Sequence, residues 1–410
     1  MRCKFCDSLI SDCTFDLGNT AISNELIHES NLHSMEEIFP LMLYTCKECF
    51  LVQVEEQVPS DRIFNEEYVY FSSLSNFWLQ HAKRFCKYIT DYLSLDSKSL
   101  VIEIASNDGY LLRNFVKFGI NCLGIEPTKS TADIALSNGV PTLVEFFNSD
   151  LARKLEEQQI FADLLILNNV LAHVPEINDF VGALKIVLKD EGTITIEFPH
   201  VLELIKNNEF DTIYHEHYFY FSLNTVKKIF LKHGLSIYHA EELNTHGGSL
   251  RVYATHQGNS LDINSHKNSV EKILNIEIDH GINKLNFYSN LRSNAHKIKL
   301  DALKYLVSNK ILNKRIAAFG AAAKGNTFLN YCGIKKDIID FVVDETPNKI
   351  GKYLPQSKIP IVSFEELKKE RPDIIVILPW NHKEEILNKL KFTKSWNAEI
   401  VTFIPNLKCY

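Results

Sequence analysis

The sequence predicts an α/β protein in three parts: a small cysteine-paired N-terminal domain, a doubly wound seven-stranded central domain and a C-terminal Rossmann-like domain. Three observations predict it. Two Cys-x-x-Cys knuckles stand at the start of the chain. Short apolar runs then alternate with amphipathic stretches between Leu100 and Thr255, the pattern of a largely parallel sheet covered by helices. A shorter set of such runs follows a long stretch of helical periodicity.

The 410 residues allow two to four domains, and an apolar fraction of 45% lets each bury a core. Lys and Arg number 44 against 51 Asp and Glu, and a net charge of −7 leaves no electrostatic footprint for nucleic acid or an anionic membrane. The first residues lack the basic-then-apolar layout of a secretory signal, and no run of 18 or more apolar residues reads as a membrane span, so the cytoplasm is the expected compartment. Nine cysteines, an odd number in a chain this long, do not form a disulfide framework.

Cys3, Cys6, Cys46 and Cys49 form the two knuckles, with 39 residues between Cys6 and Cys46. Zinc takes four thiolates in a tetrahedron, and two residues between paired cysteines let each turn aim both sulfurs at one ion. The long excursion is tolerable because loop-closure entropy grows slowly with length. Four ligands leave no open position, so a structural zinc is expected; Cys13 is near enough to substitute, and four reduced thiols are the alternative.

In the central part, strands are expected at Leu100–Ile104, 122–125, 141–144, 164–167, 192–198, 235–238 and 250–255. The first ends in Glu103-Ile104-Ala105-Ser106-Asn107-Asp108-Gly109-Tyr110-Leu111 and runs into a helical stretch over 111–118. A dinucleotide fingerprint needs three glycines there; only Gly109 is present, and Glu103 and Asp108 would repel a pyrophosphate. A cationic ligand fits better. S-adenosylmethionine carries a sulfonium and an ammonium for the acidic turn, and Glu126, 23 residues past Glu103 and followed by Pro127, stands where such folds bind ribose hydroxyls. Phe146 or Phe147 would wall the adenine, and Asn168, Asn169, Val170 and His173 would line the same crevice beyond the fourth strand. Core packing is the alternative for the two phenylalanines, and loop packing for His173.

Glu-Ile-Ala-Ser-Asn-Asp-Gly at 103–109, Asn-Val-Leu-Ala-His-Val-Pro at 169–175 and Tyr-His-Glu-His-Tyr-Phe-Tyr-Phe-Ser at 214–222, behind paired knuckles, resemble the nucleotide-sugar C-methyltransferases. The resemblance spans nearly the whole chain. It implies a zinc-binding domain over 1–66, a class I methyltransferase domain over 67–258, and a helical connector with a Rossmann-like nucleotide-sugar-binding domain over 259–410. It also implies methylation of a carbon, usually C3, of a nucleotide-linked 4-keto-6-deoxy sugar. Ala105 departs from the glycine common in class I methyltransferases; no positive φ is expected there if the turn begins one residue later.

Methylating a carbon beside a ketone requires a general base and a group that steadies the enolate oxygen. The run Tyr214-His215-Glu216-His217-Tyr218 supplies such groups, although an aromatic-rich segment can also be a buried strand. The resemblance points to Glu216 and His217 beside the reacting carbon. His217 is the expected base, because an unperturbed imidazole is half-protonated near neutral pH, with Glu216 as rival. Tyr214 or His173 would donate to the oxyanion, and Tyr68 or Tyr70 would lean over the sugar. His246, Gly248 and Arg251 enter the last central strand as substrate contacts, with a glycine hairpin and a surface arginine as the alternative.

Helical periodicity over 265–311 leads to strands expected at 315–319, 338–343, 374–378 and 400–404. The small-residue turn containing Ala323, Lys324, Gly325 and Asn326 opens a helix and is expected to bind the diphosphate or nucleotide; helix-cap packing is the alternative. Asp344, Lys349, Trp380 and Asn381 are weaker candidates for base and ribose. Two rival readings stay open: a nicotinamide-dependent sugar reductase or epimerase using this last domain, and a non-catalytic zinc-ribbon adaptor. The expected partner is a nucleotide-linked keto-deoxysugar, and a monomer is compatible with the sequence.

Overall fold

A computed structural model describes residues 1–63, 71–259 and 267–410. The N-terminal part lays down β1 (Cys13–Thr20), β2 (Phe39–Thr45) and β3 (Val52–Val54) as an antiparallel meander. Next come β4 (Leu100–Ile104), β5 (Asn121–Ile125), β6 (Thr142–Leu143), β7 (Ala162–Asn168), β8 (Leu188–Pro199), β9 (Phe219–Tyr220), β10 (Leu235–Leu243) and β11 (Ser249–His256). All of these except β9 form one seven-stranded sheet, ordered β10-β11-β8-β7-β4-β5-β6, in which only β11 runs antiparallel to its neighbours. Each of the seven expected strands is present. β10 runs longer than its apolar core because it pairs with the whole of β11, and β8 starts earlier, at Leu188, which pairs with Ala162 of β7.

The central strands read as continuous apolar runs because helices cover both faces. Val101, Ile102, Leu164, Leu165 and Ile166 are completely buried. Helices start where a side chain satisfies a free backbone N–H: Ser75 caps the helix Asn76–Leu93, and Ser222 caps Leu223–Lys232.

β9 lies elsewhere and pairs with β3, so the run 214–222 closes the edge of the N-terminal sheet. Tyr218 then bridges two parts of the molecule: its carbonyl accepts from Val54 N–H at 3.0 Å, and its own N–H donates to the Ala172 carbonyl at 2.7 Å, in the turn after β7.

Helices Lys267–His280 and Leu285–Ile311 connect to the last part. There β12 (Ile316–Phe319), β13 (Phe341–Val343), β14 (Ile361–Val362), β15 (Ile374–Ile377), β16 (Glu399–Thr402) and β17 (Lys408–Cys409) form a sheet ordered β14-β13-β12-β15-β16-β17, parallel except at β17. The turn after β12 needs Gly320: its φ is +91°, and a Cβ there would meet Pro379 at 2.5 Å. Among the described residues, no helix is long and apolar enough to cross a membrane.

Candidate active site

The four knuckle sulfurs lie within 4.8 Å of one another, with Cys3 and Cys49 at 3.6 Å and Cys6 and Cys46 at 3.5 Å. A tetrahedron of sulfurs at the usual zinc distance has edges of about 3.8 Å, so the cluster fits the ion. Gln53 Nε2 lies 3.4 Å from Cys3 Sγ, a supporting donor to a thiolate. Cys13 is turned away, its thiol on the Leu43 carbonyl, and is not a fifth candidate.

A cleft of about 470 Å³ opens where the three parts meet. Asn24 enters it from the N-terminal part, the β4, β5 and β7 turns from the centre, and Ala323, Lys324, Lys349 and Asn381 from the C-terminal part. Its crevice at the carboxyl ends of β4, β5 and β7 is rich in acceptors. Glu126 receives Asn107 N–H and Thr128 N–H, each at 2.9 Å, and retains lone pairs for further donors. Asn168 Oδ1 and Asn169 Oδ1 are buried with no partner among the described residues, whereas Asp108, expected here, lies 1% exposed outside the cleft lining and receives Ser73 N–H at 3.0 Å. Pro127, Tyr110, Val170, Phe146 and Phe147 supply apolar wall. Acceptors without donors call for a ligand bearing N–H, O–H and positive charge, and S-adenosylmethionine meets that description.

Further expectations about this turn need correction. Ala105 has φ +54° and Asn107 φ +50°, so the turn begins at Ala105 itself, in the left-handed region where a Cβ costs energy. Glu103 does not line the cleft; it lies 1% exposed, and burial, with Asp108 and Glu126 adding repulsion, pushes its carboxyl well above the ordinary carboxylate range. Leu111 is core, and Gly109 packs on Ala135 and Val140. Both shape the turn without lining the cleft.

Tyr214, Glu216, His217 and His173 line the same cleft. His217 Nδ1 donates to the Thr212 carbonyl at 3.2 Å, which leaves the lone pair on Nε2, and Tyr214 OH donates to it at 3.0 Å. The His173 ring meets that of His217 edge-on, with centroids 4.7 Å apart, and its Nδ1 donates to the Glu216 carbonyl at 2.7 Å. Burial lowers His173 to about 4 and His217 well below its ordinary value, His173 adding to the latter effect. Burial also raises Glu216 to about 7, opposed by Asn24 and Lys349. Both histidine rings are thus moved away from the neutral-pH poise of a free imidazole. Tyr68 and Tyr70 lie outside the described residues.

The substrate candidates divide. Ala323, Lys324, Lys349, Asn381 and His246 line the cleft. Lys324 donates to Asn381 Oδ1 at 2.9 Å and lies over the Trp380 ring, with Glu209 and Asp211 beside it. Burial raises both carboxyls, Glu209 to about 8 and Asp211 to about 7, and lowers Lys324, a shift that the two acidic groups oppose. Arg251 is corrected: it is 5% exposed and ion-paired at 2.9 Å to both Glu197 and Glu241, its cross-strand partners on β8 and β10. Gly248 abuts Glu203, Gly325 abuts Leu378, and Asn326 ties its helix to Ser23; none of the three lines the cleft. Asp344 receives Ala321 N–H and Thr346 N–H at 2.8 Å each, holding the turn after β12 where a nicotinamide enzyme would need it for a ribose. Trp380 lies behind the wall, its indole on Asp211.

Asn24, Phe77, Trp78, Glu209 and His382 also line the cleft and went unread in the sequence. Only His382 carried a signal, adjacent to the noted Trp380-Asn381 pair.

A zinc-holding sheet, a seven-stranded class I fold and an acceptor-lined crevice at its switch point define an S-adenosylmethionine-dependent methyltransferase. Three family models match in succession: a zinc binding domain over residues 3–64, a methyltransferase domain over 77–240 and a C-methyltransferase C-terminal domain over 244–405. Together the three matches span most of the chain, and in their order it resembles the C-methyltransferases built of these three parts. It is similar to the C-methyltransferase NovU of Streptomyces niveus, 29% identical over 404 residues that cover 98% of this chain and 94% of that one. Two solved structures each overlap less than half of the chain. An S-adenosylmethionine-dependent methyltransferase from Clostridium acetobutylicum is 12% identical, covering 44% of this chain and 92% of that one, with a TM-score of 0.36. Magnesium protoporphyrin IX methyltransferase from Synechocystis, solved with bound SAH, is 14% identical over 44% and 83%, with a TM-score of 0.34. Likeness of that degree decides nothing further about this chain.

Proposed function

We propose that the enzyme methylates a carbon adjacent to a ketone, C3 of a nucleotide-linked 4-keto-6-deoxy sugar, by way of an enolate. One observation carries this reading: Glu216, His173 and the hydrogen-bonded Tyr214–His217 pair line the same cleft as Glu126, Asn168 and Asn169, so one cavity offers both a proton acceptor and groups to hold a methyl donor. The bound cofactor supplies an electrophilic methyl on a sulfonium, a good leaving group.

The residues of the chain then divide the work. Glu126, with Asn168 and Asn169, accepts the cofactor's hydroxyls and ammonium, while Phe146 and Phe147 exclude water from its ring. His217 takes the C–H proton at Nε2, the nitrogen that the Thr212 carbonyl keeps unprotonated. Burial disfavours imidazolium in the free site, but an enolate forming beside it supplies the missing counter-charge. Tyr214, displaced from that lone pair, donates to the enolate oxygen. Glu216 accepts a sugar hydroxyl, and Ala323, Lys324 and Asn381 hold the nucleotide end. The resemblance of 214–222 to the sugar enzymes supports the substrate class.

The experiment is methyl transfer from labelled S-adenosylmethionine to a panel of 4-keto-6-deoxy nucleotide sugars. A carbon-bound methyl in the product is expected. Label on oxygen or nitrogen, or transfer only to ketone-free acceptors, contradicts the reading.

A further inference from the structure

The stretch after β1 runs between the other two parts of the molecule and ties itself to the C-terminal one. Thr20 Oγ1 accepts from Asn330 Nδ2 at 2.9 Å, Ala21 N–H donates to Gln356 Oε1 at 3.1 Å, and the Ser23 carbonyl accepts from Asn326 Nδ2 at 3.3 Å. Asn326 and Asn330 belong to the helix Ala323–Cys332, whose first residues line the cleft. One residue beyond Ser23, Asn24 reaches into that cleft, with its Nδ2 at 2.8 Å from both Glu216 Oε1 and Oε2. Among the described residues, no other side chain is hydrogen-bonded to that carboxylate.

We propose that Asn24 is a positioning residue that holds Glu216 ionised and oriented toward the acceptor, and that it does so only while the C-terminal domain is docked. The proposal rests on the reading of Glu216 as part of the site. Burial by itself favours the neutral acid; what opposes it is the Asn24 amide and the charge of Lys349. The other titratable neighbours are His173, on the Glu216 carbonyl, and His217, the next residue; burial keeps both rings neutral. An amide has no proton to exchange in this range, so it selects the carboxylate without competing for its proton. Because the segment that carries Asn24 is otherwise held by Asn326, Asn330 and Gln356, withdrawal of the C-terminal domain removes the donor and lets Glu216 take up a proton.

The test uses the full-length zinc-loaded protein and reads the Glu216 carboxyl by infrared difference against Glu216→Gln across pH, a measurement that needs no substrate. Losing a hydrogen bond to a charged group is worth about 1.5–3 kcal/mol, so Asn24→Ala should move the half-titration point upward by about one to two pH units. Asn24→Asp, which keeps the size and adds repulsion, should move it further. Asn330→Ala with Gln356→Ala, outside the cleft, should move it in the same direction by less. In turnover, Asn24→Ala should raise the acceptor KM about tenfold at pH 7, with recovery at pH 9 and a smaller change in kcat. A titration unmoved in both folded Asn24 variants overturns the proposal, and one unmoved in the Asn330/Gln356 variant overturns the dependence on docking. If the titration shifts as expected but no keto sugar is turned over, the fault lies with the proposed reaction instead.

Discussion

Tyr214 and His217 are joined phenol to imidazole at 3.0 Å, and the Thr212 carbonyl fixes which ring nitrogen receives the bond. Residues bound this way act as one unit. Tyr214→Phe and His217→Asn should each lower kcat by about 10²-fold or more, and the double variant should lose little beyond the worse single one. Steady-state kinetics of the three variants checks this; multiplicative losses would show independent roles.

Glu126 uses its carboxylate to order the turn and faces the cofactor crevice. Glu126→Gln should weaken S-adenosylmethionine binding by roughly 10- to 100-fold, the loss of a charge-assisted hydrogen bond, while acceptor binding changes little. Calorimetric titration of each ligand separates the two.

Zinc should matter for activity as well as for stability, because β3 leaves the second knuckle and pairs directly with β9 of the 214–222 segment. Thr225 and Lys228 also reach the Cys49 carbonyl. Cys46→Ser should release the metal, lower Tm and abolish methyl transfer at temperatures where the central sheet persists. Metal content, circular dichroism and activity measured on one sample test it.

Glu216 is 2% exposed, and burial raises its carboxyl from 4.5 to about 7. A carboxyl with a raised folded value is stabilising relative to its ionised state at low pH, and that contribution is lost as pH climbs from 4.5 through 7. Glu216→Gln, which cannot ionise, should therefore gain on the parent over that window, by about 3 kcal/mol at most, and stay level above it. Urea unfolding at pH 4.5, 6, 7 and 8.5 measures the difference.

What was legible in the sequence was local. The turn from Glu103 to Gly109 and Glu126 beyond it lie on adjacent strands of one βαβ unit, so spacing alone brought them together, and Tyr214 and His217 are three residues apart. Asn24 and Glu216 are 192 residues apart, in the turns after β1 and before β9, so no periodicity encodes their contact. Arg251 read as a substrate contact because its cross-strand neighbours Glu197 and Glu241 emerge only once β11 is registered against β8 and β10. The positive φ of Ala105 was likewise hidden, since glycine is the residue that normally announces it.

Solvent exchange tests the central claim most directly. A 4-keto-6-deoxy nucleotide sugar incubated with the enzyme in deuterated water, without methyl donor, should acquire deuterium at the carbon beside the ketone. His217→Asn should slow that exchange by at least about 10²-fold, with Glu216→Gln slowing it less. A wild-type enzyme that methylates the sugar but never exchanges this position, or a His217→Asn variant that exchanges at the full rate, would contradict the account.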